Sequence, residues 1–293
     1  MNTTKYYLLS LLLMASSLNA NTVPSYDCVS EPCPDYSEGQ GVSMTQQEAQ
    51  EVLPYAQMAY NAFRYKPSDC VVEGYHLSTK EEVPVDLQQY YDAKAQRLED
   101  AHTGMIARIY IKDDDSGQRV VAFAGSELRF WQLRNIQRFT YNLMSNTAQA
   151  LGYEPQVYTQ AAKWAQSIQG NASEGPEVIL TGSSLGGGLA QYAGLMMELR
   201  AVCFNAAGMS SVLKKFIETQ SIGEVLRARA YSLVVHVNVE GDWISSYAPG
   251  EQLGVRYVVP CYSEKIWGFG FGSENRHDAS IVVKSLEAFS ASE

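Results

Sequence analysis

The stretch "VILTGSSLGGGLAQYAG", residues 178–194, sets a β-branched apolar run directly before two serines and a cluster of glycines. Val178-Ile179-Leu180 reads as a buried strand and Leu189-Ala190 through Leu195-Met196-Met197 as a helix face, so the glycines fall at a strand-to-helix turn. Gly182, Ser184 and Gly186 form G-x-S-x-G there. The spacing has a steric cause. A turn sharp enough to present one serine strains that residue's backbone, and strand and helix then approach so closely that only residues without a Cβ fit two positions to either side. Ser184 is the side chain such a turn exposes.

The second half of the chain repeats this alternation. Strands are expected at "AVCFNAAG", "YSLVVHVNVEGD" and "VRYVVP", and helices at "QVYTQAAKWAQSIQ", "SVLKKFIETQ" and "DASIVVKSLEAF". Strands that alternate with helices imply an α/β fold with a mostly parallel central sheet covered on both faces. In the first half, "TQQEAQEVLPYAQMAYNAFRY" carries Val52, Tyr55, Ala56, Ala59, Tyr60 and Phe63 at helical spacing, with Pro54 expected to kink the helix or mark its first turn. "GMIARIYIKDDDSGQRVVAFAGS" reads as two strands joined by a turn at Asp115-Ser116-Gly117. Its three aspartates lack the alternation of a calcium loop and read as a solvated turn. No zinc or other metal site is expected, because no Cys/His cluster has ligand spacing.

The first twenty residues hold one lysine and a short apolar run that ends in small residues, the pattern of an export signal. Cleavage after Ala20 is the preferred reading and after Ser17 the alternative. The chain then divides into a signal at 1–20, an irregular Pro/Ser/Asp/Gly-rich arm at 21–43 and one domain at 44–293. The formal charge of −10 grows by one when Lys5 leaves, which argues against a nucleic-acid partner. Five cysteines leave at least one unpaired within the chain, and buried Cys203 is the expected free thiol. Cys28 and Cys33 can close on each other or on Cys70. The oligomeric state is not legible.

G-x-S-x-G alone is a weak signal, and its partners decide its meaning. Of four histidines only His236 and His277 follow Ser184. His236, mid-strand in "LVVHVNV", reads as a buried structural histidine, whereas His277 in a loop before the last helix reads as the general base. Of the aspartates after Ser184, Asp278 adjoins His277 and is badly placed to orient its ring. Asp242 ends a strand, where sites in parallel sheets gather, and is the expected acid, with Glu240 second. Asp242 as a simple turn cap is the bland reading. Oxyanion donors are expected at Leu185, after the nucleophile, and at Ser126, where "VVAFAGS" ends.

The set "VVAFAGS", "TGSSLGGGLA", "VNVEGDWIS" and a late "RHD" resembles the class 3 lipases, the fungal-lipase-like branch of the α/β hydrolases, over roughly residues 45 to 290. The resemblance implies the α/β-hydrolase fold, a lipid ester substrate and no cofactor. It implies Ser184 as nucleophile, Asp242 as acid, His277 as base, and Ser126 and Leu185 at the oxyanion hole. Two positions depart from the family pattern: Ala124 stands where arginine is usual and Ser183 where histidine is usual.

The resemblance also implies a lid in "ELRFWQLRNIQRFTYNLM". There Leu128, Trp131, Leu133 and Ile136 recur on one face between Arg129, Arg134 and Arg138, a pattern suited to transient contact with a lipid interface or to an ordinary packed helix. Trp267, Phe269 and Phe271 suit an acyl pocket or a surface loop. The expected function is hydrolysis of lipid carboxylic esters, as a triacylglycerol lipase or a phospholipase A. The alternatives are an esterase on soluble esters and an inactive hydrolase-fold binding module.

Overall fold

The apolar runs of the second half form the centre of a single sheet. The computed structural model describes residues 41–125, 156–170, 175–210, 213–214, 217, 229–247, 250–262 and 276–292. Within them the strands are β1 (Val42–Ser43), β2 (Tyr75–Leu77), β3 (Tyr91–Asp92), β4 (Arg97–Glu99), β5 (Ile106–Lys112), β6 (Arg119–Phe123), β7 (Val178–Ser183), β8 (Arg200–Phe204), β9 (Val234–Val239) and β10 (Val255–Val259). The helices are α1 (Gln46–Asn61), α2 (Gln156–Gln169), α3 (Leu185–Met197), α4 (Trp243–Tyr247) and α5 (Ala279–Ser290). Strand order is β1-β10-β9-β8-β7-β6-β5-β4-β3, with β2 paired to β5. From β6 through β10 to β1 all neighbours are parallel, and the pairs made by β2 to β5 are antiparallel. This is an α/β architecture consistent with the α/β-hydrolase fold.

Each central strand sends alternate residues to two separate cores. Val121, Phe123, Leu180, Ala201 and Cys203 pack under α2 and α3 with Trp164, Tyr158 and Leu189. Val120, Ala122, Ile179, Val202, Phe204 and Val237 pack under α1 and α5 with Val52, Tyr55 and Ile281. With both faces covered, the strands need apolar residues at every position, which is why they read as unbroken runs. α1 starts at a capping box in which Thr45 accepts from the Glu48 amide and Glu48 accepts from the Thr45 amide. It runs alongside α5 from one end of the domain, where Gln50 reaches the Ser290 carbonyl at 3.4 Å, toward the end that carries Ser184.

Several local expectations are revised. Pro54 sits inside α1 rather than in its first turn, since the Thr45 cap starts the helix earlier. β9 begins only at Val234, because Tyr231-Ser232-Leu233 are helical. The short strands β2, β3 and β4 were not foreseen, and Val42-Ser43, at the end of the expected irregular arm, add an edge strand on β10. Arg108 is fully buried on β5 and donates to the carbonyls of Asn61, Arg64, Ala95 and Gln96. It closes the end of α1 onto the β3–β4 turn. Cys70 and Cys203 are free, buried thiols. The expected export segment, Cys28 and Cys33, Ser126, the amphipathic segment with Leu128, Trp131, Leu133 and Ile136, and the aromatic-glycine run at 267–271 lie outside the described residues. "SVLKKFIETQ" is described only at Leu213, Lys214 and Ile217, all helical.

Candidate active site

Ser184 occupies the junction of β7 and α3 with φ 59° and ψ −124°, a conformation costly for any residue with a Cβ. The tightness of the turn is visible at its glycines. A Cβ on Gly182 would fall 2.3 Å from the Gly186 carbonyl carbon, and one on Gly186 would fall 2.2 Å from the Phe123 oxygen. Gly187 faces Ala206 in the same way, at 2.6 Å. The turn is held by the end of β8 and the loop beyond it, since the Ser184 amide donates to the Phe204 carbonyl (3.1 Å) and the Ser184 carbonyl accepts from the Ala207 amide (3.0 Å).

The structure brings Ser184, His277 and Asp242 together. His277 Nε2 lies 2.7 Å from Ser184 Oγ, and its Nδ1 lies 2.8 Å from Asp242 Oδ1. An ionised carboxylate only accepts, so Nδ1 carries the ring proton and Nε2 is left to accept the serine hydroxyl. Asp242 is fully buried while the imidazole remains 18% exposed. The second carboxylate oxygen, Oδ2, accepts from the Ser245 amide at 2.8 Å and caps α4. Each carboxylate oxygen of Asp242 therefore has its own partner, the His277 ring for Oδ1 and the first turn of α4 for Oδ2. Asp278 caps α5 through Ser280, and Glu240 is exposed.

Leu185 is the first residue of α3, so its N–H has no partner within the helix and lies at the positive end of the helix dipole. Gly125 packs against Ser184: a Cβ there would lie 3.2 Å from Ser184 Cβ and 2.9 Å from Phe63 Cζ. The residue that follows it, Ser126, is outside the described residues. Phe63, expected on the helix face, instead follows α1 and borders this loop.

His236 is apart from the site. It is fully buried, its Nε2 bonds the Leu253 carbonyl at 3.2 Å, and burial pushes its pKa down to about 3. A histidine held neutral in the fold but titrating near its ordinary 6.5 when unfolded leaves the unfolded state binding more protons in between. Its contribution is intact above about pH 6.5 and is lost as pH falls from there toward 3. Melting temperatures measured across that range should fall more steeply for the wild type than for His236→Gln.

Two residues that matter here carried little sequence signal. Asn205 follows β8 in "CFNAAG" with φ 42°, and Arg276 precedes His277 and donates to the Glu240 carbonyl at 3.1 Å. An asparagine just past an apolar strand run was the available clue.

Comparison with known proteins gives a relative and a family. An extracellular phospholipase A1 of Serratia liquefaciens is 41% identical over 114 residues, 39% of this chain and 30% of that protein. The chain's match thus spans under a third of that relative's length. A family model described as a Tle-like phospholipase domain, among the phospholipase-like proteins, matches residues 55–253. That span includes Ser184 and Asp242, while His277 lies beyond it and reaches them only in three dimensions. On this match, which runs from α1 to the threshold of β10, the chain belongs to the Tle-like phospholipase domain family.

Proposed function

We propose that the chain is an exported serine hydrolase that cleaves carboxylic esters of phospholipids, a phospholipase A type activity, through an acyl-enzyme on Ser184. The observation that carries this reading is the hydrogen-bonded series from Ser184 Oγ through the His277 ring to Asp242, set on a strained turn. Family membership and the phospholipase A1 name of the Serratia relative favour a phospholipid over other esters. The likeness of "VVAFAGS", "TGSSLGGGLA" and "RHD" to class 3 lipases supports the same reaction type. Export is supported by the sequence pattern of residues 1–20.

In the proposed reaction His277 Nε2 takes the Ser184 proton as Oγ bonds to the ester carbonyl carbon. Asp242 stabilises the resulting imidazolium and keeps the ring oriented. The oxyanion accepts from the Leu185 amide and from a second donor at Ser126. Collapse breaks the ester bond, and the departing lysophospholipid oxygen takes the proton from His277. Water, deprotonated by His277, then attacks the acyl carbon, and Ser184 leaves with its proton restored as fatty acid departs. Every proton passes through His277, and the scheme uses no cofactor.

The test is product analysis of the mature protein on phospholipid vesicles, a triacylglycerol emulsion and a soluble short-chain ester. Fatty acid and lysophospholipid from the vesicles, at a rate exceeding the other two, is the expected result. Activity on the soluble ester alone would replace the phospholipase reading with an esterase, and no hydrolysis by folded protein would leave a binding module.

A further inference from the structure

We infer that Asn205 is a positioning residue that locks the three catalytic turns into mutual register, an inference that rests on the assignment of Ser184, Asp242 and His277 above. Asn205 is fully buried just past β8, and its side chain bonds two of the turns while the backbone beside it bonds the third. Its Oδ1 accepts from the Val239 amide at 2.8 Å, and the carbonyl of that same Val239 accepts from the Asp242 amide at 3.0 Å. Its Nδ2 donates to the carbonyl of Arg276 at 3.0 Å, the residue before His277. The backbone on either side of it holds Ser184, through the Phe204 carbonyl and the Ala207 amide.

No other side chain at this position does all of this. The left-handed φ of 42° favours glycine or asparagine, and glycine has no side chain to bridge segments that are 34 and 71 positions away. The acceptor and donor of one amide are both committed. A neighbouring buried pair supports the same loop, with Gln252 donating to the Ala206 carbonyl and accepting from Asn238, both at 2.8 Å. The loop that carries Asn205 is thus a fixed reference against which the other two turns are set.

Asn205→Asp tests this selectively. The carboxylate tolerates the backbone conformation and still accepts from Val239, but it meets the Arg276 carbonyl with an oxygen in place of a donor. The His277 turn is pushed away while Ser184 and Asp242 stay in place. A displacement on the order of 1 Å costs about 10²-fold in rate. The expected result is a kcat lower by roughly 10- to 100-fold with KM unchanged, and an equal fall in the rate at which an organophosphonate labels Ser184. Asn205→Gly, which keeps the backbone and loses both bonds, is expected to lose at least as much. Tyr110→Phe, which removes a buried bond to the Cys70 carbonyl away from the site, is expected to lower the melting temperature and leave kcat unchanged.

Wild-type kcat per labelled site in folded Asn205→Asp and Asn205→Gly, with only the melting temperature lowered, would overturn the inference and leave Asn205 a structural residue. If the wild type itself is not labelled on Ser184, the inference falls together with the reaction on which it rests. Labelling of the wild type, with Ser184→Ala inactive, separates the two failures.

Discussion

Ser184→Ala should lower kcat on phospholipid by about 10⁶-fold and leave the fold intact, because a nucleophile and its base act as a unit whose loss removes nearly all the acyl-transfer chemistry. The residual rate reflects binding and the oxyanion donors alone. The stability side of the prediction follows from the backbone. Alanine keeps the Cβ that strains φ 59°, ψ −124°, so the melting temperature should barely move. Ser184→Gly removes the Cβ, relieves strain of about 1–3 kcal/mol and gives back roughly 0.5–1 kcal/mol in unfolded-state freedom, so the inactive variant should be the more stable protein. Calorimetry beside initial-rate assays on the two variants checks both halves. A Ser184→Gly variant less stable than wild type would show that the turn stores no strain.

Asp242→Asn should cost about 10⁴-fold in kcat with the geometry retained. The reason lies in the two separate tasks of the carboxylate. One position must still accept from the Ser245 amide, so the asparagine oxygen turns to α4 and its NH₂ faces His277 Nδ1. The imidazole then accepts at Nδ1 and carries its proton on Nε2, pointing at Ser184 Oγ, where it cannot serve as base. An unchanged KM and a labelling rate of Ser184 reduced in step with kcat would support this. A loss of only a few-fold would mean that the buried carboxylate chiefly caps α4.

Much of this arrangement could be read from residue order. The steric need for Gly182 and Gly186 around Ser184, the late position of His277 and the strand-end position of Asp242 are local or ordinal features, and they require no knowledge of packing. The parallel centre was legible because strands covered on both faces must be apolar throughout, as in Val178-Ile179-Leu180 and "LVVHVNV".

What escaped the sequence depends on distant partners. β2, β3 and β4 are two or three residues long with mixed polarity and exist only because β5 offers an edge to β2 and β4, and β4 in turn to β3. Arg108 looks like a solvent-facing strand residue until four carbonyls converge on it. Asn205 looks like a turn residue, and its role needs Val239 and Arg276, which only the folded sheet brings near. Phe63 fits the helical repeat of α1 but belongs to the turn beyond it, against Gly125.

The measurement that bears most directly on the account is intact-mass and peptide analysis after reaction with an organophosphonate, followed against loss of phospholipid hydrolysis. A single adduct on Ser184 is expected, appearing in proportion to the activity lost, with none on Ser184→Ala. Hydrolysis that persists with Ser184 fully modified, or an adduct on another residue that tracks the loss, would contradict it.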